Sequence, residues 1–101
     1  MKVHWTEHAI TRLKLIETHI AENAPDIARN VVFGLLTESR KLAELPLYGR
    51  VVPEYQQDSI REILKRPYRI IYRLNDEQID VLTVMHYRQL LPADLNSLIQ
   101  H

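Results

Sequence analysis

Three side chains in the second half of the chain could do chemistry on an anion. Arg69 lies in the middle of one largely apolar segment, and His86 and Arg88 lie at the end of the next. Arginine can grip a phosphate or a carboxylate through two parallel hydrogen bonds, and histidine titrates near neutral pH. The spacing is equally compatible with polar side chains that only solvate the edge of a sheet.

A basic strip surrounds Arg69. Between Ile60 and Arg73 the chain has five basic side chains and a single acid, Glu62. A local excess of one charge in a neutral protein indicates a directed surface, although solvated strands also carry such side chains. The candidates for binding a target are therefore Arg61, Arg69, Arg73, His86 and Arg88.

Other kinds of site have little support in the sequence. The motifs of phosphate-binding loops, dinucleotide-binding folds, zinc proteases and serine hydrolases do not occur. The chain has no cysteine, which excludes disulfides and thiolate metal sites and is compatible with a reducing cytoplasm. His4 and His8 are separated by a predicted junction between a strand and a helix. We therefore expect no metal site and no cofactor.

A β-hairpin is predicted to position the candidate residues. Side chains alternate along 68–74, a polar loop of hairpin length follows, and residues 79–87 form the return strand. One face of 68–74 is then apolar and aromatic, and the other carries the arginines. If Leu74 pairs with Ile79, the register predicts these further pairs: Tyr72 with Val81, Ile70 with Thr83, Tyr68 with Met85, Arg73 with Asp80 and Arg69 with Val84.

Two amphipathic helices precede this hairpin. Apolar residues recur at helical spacing over 7–22, where Thr6 can cap the first turn, and again over 26–45, which ends before Pro46. A short strand is predicted at 2–5, ahead of both helices.

Three further segments complete the reading. Another strand is predicted at 60–64, next to the hairpin. Gly49, in the preceding loop, indicates a turn with positive φ. Residues 92–99 form either a short helix or a frayed tail.

The order β-α-α-β-β-β predicts an α+β fold, with a two-helix hairpin packed on one face of a small, mainly antiparallel sheet. The helices would cover the face that carries Ile70 and Tyr72 and leave the face of Arg69 more open. Arg69 would then have apolar walls for its stem and a free guanidinium, unless it pairs with a buried carboxylate.

Composition sets the outer limits. A chain of 101 residues, of which 46% are apolar and 26% charged, fits a single globular domain over 1–101. Its formal net charge of zero argues against a protein that coats nucleic acid through bulk charge. No apolar run approaches the roughly 20 residues that cross a membrane, and the N-terminus does not look like a signal peptide.

Several short motifs follow one another in a recognisable order. They are Trp5-Thr6-Glu7-His8-Ala9, Leu42-x-x-x-Pro46-x-x-Gly49-Arg50-x-x-Pro53-Glu54, Ile60-Arg61-Glu62, Tyr68-Arg69-Ile70-Ile71-Tyr72-Arg73 and Val84-Met85-His86-x-Arg88. In this order and spacing, nearly the whole chain resembles the RelE/ParE superfamily, the toxin subunits of bacterial type II toxin–antitoxin modules. It is most similar to the ParE branch, and the fold that the resemblance implies agrees with the one above.

The resemblance implies one of two activities. ParE-like toxins poison DNA gyrase, whereas RelE-like toxins cut mRNA on the ribosome. As an RNase, the chain would use Arg69 for transition-state charge and His86 or Arg88 for proton transfer, with the general base left open between Glu54 and Glu62.

Gyrase poisoning without enzymatic chemistry is the favoured interpretation. The chain lacks the dense lysine set of RelE-like members, and its zero net charge is low for a nuclease that must bind phosphates. The long helical hairpin and the segment from Pro46 to Arg50 also favour the ParE branch. A third alternative is a protein-interaction module whose toxicity has decayed.

The resemblance also implies a cognate antitoxin whose disordered segment folds onto the toxin. Leu15, Val32 and Leu36 are candidate docking points, since they are apolar helix positions that the core does not need. Operator DNA would be bound only indirectly, through the antitoxin. No membrane would be involved, and the protein would act in the cytoplasm.

Overall fold

The structure, a computed structural model, describes residues 1–99. Its helices are α1 (Glu7–Ala21), α2 (Pro25–Arg40), a 3-10 turn at Lys41–Ala43 and α3 (Leu95–Ile99). Its strands are β1 (Lys2–Trp5), β2 (Arg50–Val51), β3 (Ile60–Lys65), β4 (Tyr68–Leu74) and β5 (Gln78–His86).

The strands form a five-stranded sheet in the order β1-β5-β4-β3-β2. The edge strand β1 runs parallel to β5, and the other neighbours are antiparallel. The predicted α+β fold, with two helices packed on a mostly antiparallel sheet, is confirmed. The sequence does not predict β2, whose two residues pair with Glu62 and Arg61, because a strand of this length has no periodicity to detect.

Hydrogen bonds at the first turn of α1 attach this helix to the sheet. The Ala9 N–H donates to Thr6 Oγ1 at 3.2 Å, which is the predicted cap. The Thr6 hydroxyl also donates to the Val81 carbonyl of β5 at 2.8 Å. Trp5 Nε1 donates to Ser39 Oγ at 3.2 Å and so links β1 to α2. The helical pair is therefore fixed at both its entry and its exit.

Each face of the sheet has its own apolar core. The core under the helical pair contains these buried residues: Ala9, Leu13, Leu35, Leu42, Ile63, Ile70, Tyr72, Ile79, Val81 and Val84. On the opposite face, buried residues of the sheet and of the segment before β3 meet Leu98 of α3: Val52, Ile60, Ile71, Leu82 and Met85. The second face is therefore less open than expected, because α3 and the segment before β3 pack on part of it.

The hairpin register departs from the prediction halfway along β4. Leu74 pairs with Ile79, Arg73 with Asp80 and Tyr72 with Val81, as expected. A β-bulge then shifts the remaining pairs, which are Ile71 with Thr83, Ile70 with Val84, Arg69 with Met85 and Tyr68 with His86. The bulge leaves Leu82 as the extra residue. It brings apolar Val84, instead of Thr83, opposite Ile70 in the core under the helices.

Gly49 is needed for a close approach and not for a turn. No glycine among residues 1–99 has a positive φ, so that expectation is wrong. A Cβ at Gly49 would lie 2.5 Å from the Glu62 carbonyl oxygen and 2.7 Å from Tyr72 Oη. The Gly49 N–H donates to Tyr72 Oη at 2.9 Å, and the Tyr72 hydroxyl donates to the Pro46 carbonyl at 3.0 Å. The loop after the helices is thus held against the sheet where only glycine fits.

No helix among residues 1–99 combines the length and the apolar character needed to cross a membrane.

Candidate functional site

Arg69, the main candidate for binding an anion, is buried and ion-paired. Its side chain is only 8% exposed. Its Nε donates to Glu62 Oε1 at 2.5 Å, and its Nη1 and Nη2 donate to the two carboxylate oxygens of Glu54 at 2.8 and 3.0 Å. The expected free guanidinium is therefore wrong. Arg69 instead pairs with a buried carboxylate, that of Glu62.

Glu62 is the centre of this network. It is fully buried, and Arg50 Nε donates to its second carboxylate oxygen at 2.7 Å. Two guanidinium groups thus hold one buried carboxylate. The network brings Arg50 on β2, Glu62 on β3 and Arg69 on β4 together because these strands are neighbours in the sheet.

The charges of the network stabilise one another. The hydrogen bond from Arg69 holds the pKa of Glu54 below its usual value. The hydrogen bonds to Glu54 and Glu62 raise the pKa of Arg69 despite its burial. Arg69 therefore stays charged at every physiological pH, but its charge is compensated within the chain.

Arg61 and Arg73 are also engaged inside the molecule. Arg61 Nη2 pairs with Asp58 at 2.9 Å, and its Nη1 donates to the Gly49 carbonyl at 3.0 Å. Arg73 Nη2 lies 3.5 Å from Asp80 Oδ2, which confirms the predicted cross-strand pair. These two arginines hold loops and strands together, so they offer a target less charge than the sequence suggested.

His86 and Arg88 lie at the end of β5 and contact an aromatic group. The His86 ring stacks on Tyr87 with centroids 4.8 Å apart and meets Tyr68 edge-on at 6.0 Å. The Arg88 backbone N–H donates to His86 Nδ1 at 3.1 Å. Arg88 Nε donates to the Tyr87 hydroxyl at 3.1 Å. Tyr87 therefore contacts both His86 and Arg88, the two predicted residues at this end of the sheet.

A cleft of about 280 Å³ lies beside this aromatic group. Its lining residues are Arg50, Glu54, Leu64, Arg66, Tyr68, Arg69 and Tyr87. We call it the arginine cleft. Of the five predicted target-binding residues, Arg69 lines this cleft, whereas Arg61, Arg73, His86 and Arg88 do not. His86 and Arg88 contact Tyr87, which does line it.

Arg50 and Arg66 also line the cleft, although the sequence did not indicate them as site residues. Arg50 uses only its Nε for Glu62, and its side chain is 59% exposed. Arg66 is exposed and has no hydrogen bond or ion pair within the described part of the chain. Both arginines occur in segments that the sequence analysis had singled out. The sequence could not show that their N–H groups are free to bind a ligand, because this depends on which carboxylates the other arginines occupy in the folded chain.

The three predicted docking residues differ in exposure. Leu15 on α1 is 54% exposed. Val32 and Leu36 on α2 are half-buried and pack against the core under the helices. Ile27 and Phe33 of α2, which the sequence analysis did not select, are 58% and 67% exposed. The helical pair therefore presents a more apolar outer surface than expected.

Two comparisons of the sequence with known proteins bear on its family. The family described as the ParE toxin of the type II toxin–antitoxin system parDE matches residues 3–91. A curated protein of Sinorhizobium fredii (strain NBRC 101917 / NGR234), "Putative toxin Y4kP", is 37% identical over 96 residues, which cover 93% of this chain and 96% of that protein.

The fold has a counterpart among solved structures. A chain of the chromosomal ParDE toxin–antitoxin system from P. aeruginosa superimposes with a TM-score of 0.73, covering 85% of this chain and 95% of that chain. The two sequences are 22% identical, so this likeness concerns the fold alone.

Proposed function

Because the chain belongs to the ParE toxin family of type II toxin–antitoxin systems, we propose that it inhibits DNA gyrase in the cytoplasm. In this proposal a cognate antitoxin of the ParD kind binds the toxin and keeps it inactive. The toxin acts by binding a protein and not by cleaving a bond.

The compensated charge of Arg69 is the observation that favours a protein target over mRNA cleavage. An arginine that stabilises a phosphoryl transition state must direct its guanidinium at the substrate. Here three nitrogen atoms of Arg69 already donate to Glu54 and Glu62. The guanidinium of Arg69 is therefore not directed at a substrate, so the RelE-like alternative has less support.

Purified protein distinguishes the two targets. The toxin is released from its co-expressed antitoxin and added to gyrase with relaxed plasmid DNA, and in parallel to a cell-free translation reaction. We expect concentration-dependent loss of supercoiling and unchanged translation. Adding the antitoxin back should restore supercoiling and serves as the control. Loss of translation with normal supercoiling would contradict the proposal.

The response of cells gives an independent readout. Induction without the antitoxin should cause filamentation and DNA-damage signalling, as expected for a gyrase poison. Immediate arrest of translation would instead indicate ribosomal mRNA cleavage. If cells show neither response, the chain is a binding module without toxicity.

A further inference from the structure

The arginine cleft has two guanidinium groups that the chain leaves available. Arg50 binds Glu62 through Nε alone, and neither Nη1 nor Nη2 has a hydrogen bond within residues 1–99. Arg66 has none at all in the same part of the chain. The deeper cation, Arg69, is fixed by Glu54 and Glu62. The cleft thus has at its floor an arginine whose charge is compensated, and beside it two guanidinium groups with unpaired N–H donors.

The walls of the cleft suit a peptide. Leu64 is 44% exposed and Tyr87 is 51% exposed, and both line the cleft together with Tyr68. These side chains provide apolar and aromatic surface between the charged groups. A fourth cation, Arg88, lies outside the lining of the cleft and over the Tyr87 ring, with its guanidinium carbon 5.5 Å from the ring centroid. The surface is therefore cationic, partly apolar and concave.

We propose that the arginine cleft binds neighbouring carboxylates on an acidic segment of the protein that the toxin inhibits. Arg50 and Arg66 would each grip one carboxylate through paired N–H donors, and Tyr87 and Leu64 would contact the intervening apolar atoms. The proposal rests on the protein target of the preceding section. It does not require that this protein be gyrase.

The bond between Arg69 and Glu54 supports a carboxylate as the ligand. It is a bidentate pair on the wall of the same cleft, so arginine already binds a carboxylate in this surrounding. Nucleic acid is the less favoured ligand. The formal net charge of the chain is zero, which is low for a protein that binds its ligand mainly through phosphates.

Fluorescence anisotropy on the full chain tests the proposal directly. The probe is a fluorescein-labelled octapeptide of alternating glutamate and alanine, at low ionic strength, where exposed charges are weakly screened. We expect saturable binding that Arg66→Gln weakens by about threefold, in keeping with an exposed ion pair. The matched control is Arg40→Gln. Arg40 is exposed at the end of α2, outside the lining of the cleft.

A second variant tests the cleft without disturbing the fold. Because Arg50 also holds buried Glu62, Arg50→Lys keeps the positive charge beside Glu62 and removes only the free fork. It should melt near wild type and bind the peptide about threefold more weakly. Equal losses in Arg66→Gln and Arg40→Gln would overturn the proposal. Tighter binding of an RNA oligonucleotide of the same charge would overturn it in favour of nucleic acid.

The gyrase assay separates this proposal from the proposed function. If wild type inhibits gyrase and Arg66→Gln inhibits it equally well, the cleft is not the contact and the proposed function stands. If peptide binding depends on Arg66 while wild type leaves gyrase unaffected, gyrase is not the target and the cleft proposal stands. We expect Arg66→Gln to require at least about threefold more protein for the same inhibition.

Discussion

Arg69 shows how a residue that suits chemistry can instead hold the fold together. All three of its nitrogen atoms donate to carboxylates, and Glu62, one of these partners, is fully buried. A buried pair of this kind contributes little net stability, but removing one partner strands the other charge. Substitution of Arg69 therefore reports first on folding and only then on activity.

Arg69→Ala should lower the free energy of unfolding by about 3 kcal/mol. The loss is expected because Arg50 alone must then compensate Glu62. The measurement is urea denaturation followed by circular dichroism. Arg40→Ala, at an exposed position, should stay within about 0.5 kcal/mol of wild type. An Arg69→Ala variant that unfolds normally but has lost toxicity would instead assign Arg69 to target binding.

Glu54 predicts a dependence of stability on acid pH. The hydrogen bond from Arg69 lowers the pKa of this carboxyl from its ordinary 4.5. A group whose pKa is lower in the folded state contributes stability above its unfolded pKa and loses it as the pH falls through the folded pKa. The advantage of wild type over Glu54→Gln should thus be present at pH 6 and shrink below about pH 4.5.

Thermal melts between pH 3 and about pH 6 measure this effect. Glu44 provides the control, since it is exposed and makes no ion pair among residues 1–99. Glu44→Gln should follow the wild-type curve at every pH. Because the Glu54 side chain is 43% exposed, the effect will be modest. Parallel curves for wild type and Glu54→Gln would show that the pair is not maintained in solution.

The two glycines should respond in opposite ways to alanine. At Gly49 the new Cβ would lie 2.5 Å from the backbone of β3, and the variant should lose at least about 2 kcal/mol. At Gly34 in α2 the nearest group is the flexible end of Lys65 at 3.4 Å. Gly34→Ala should therefore gain about 0.5–1 kcal/mol from helix propensity. Chemical denaturation of both variants tests this, and equal effects would contradict it.

At the scale of elements, periodicity predicted the helices and the main strands, but not their relative register. Alternation in 68–74 identified β4 and the face of each residue. The bulge at Leu82 was not visible because Thr83 and Val84 both suit a strand. Only packing against the helices selects Val84. The partners of Arg69 were hidden for a related reason, since Glu62 meets it through the pairing of β3 with β4.

The short helix α3 is an integral part of the second core. Leu98 is 5% exposed and packs with buried residues of the sheet, and the Tyr55 hydroxyl donates to the Pro92 carbonyl at 2.7 Å just before this helix. This segment lies beyond residue 91, where the family match ends. Of the two readings of residues 92–99, the helix is confirmed over Leu95–Ile99.

Leu98→Ala should lower the free energy of unfolding by about 2–3 kcal/mol, because it leaves a cavity under α3. The matched control is Leu90→Ala, since Leu90 is 93% exposed, and it should change stability by less than about 0.5 kcal/mol. Urea denaturation measures both. If the two variants were equally stable, α3 would not be packed on the sheet in solution.

In the molecule as a whole, some arginines are paired within the chain and others have N–H groups that can bind a partner. Arg61, Arg69 and Arg73 are bound to carboxylates, whereas Arg50 and Arg66 have N–H groups without a partner in the part of the chain that the structure describes. The outer surface of the helical pair is apolar at several exposed positions. The chain thus has two chemically different surfaces, which suits the proposal of two different binding partners.

On the helical pair, we expect substitutions of exposed residues to weaken antitoxin binding and substitutions of packed residues to lower stability. Leu15 and Phe33 are more than half exposed, so Leu15→Gln and Phe33→Gln should leave the melting temperature unchanged and weaken antitoxin binding by at least about tenfold. Leu36 packs against the core, so Leu36→Ala should chiefly lower the melting temperature. Lys14→Gln, next to Leu15 and also exposed, should change neither. Titration calorimetry with purified antitoxin gives the affinities. Wild-type binding by both Leu15→Gln and Phe33→Gln would place the antitoxin elsewhere, and the arginine cleft would then be the next surface to test.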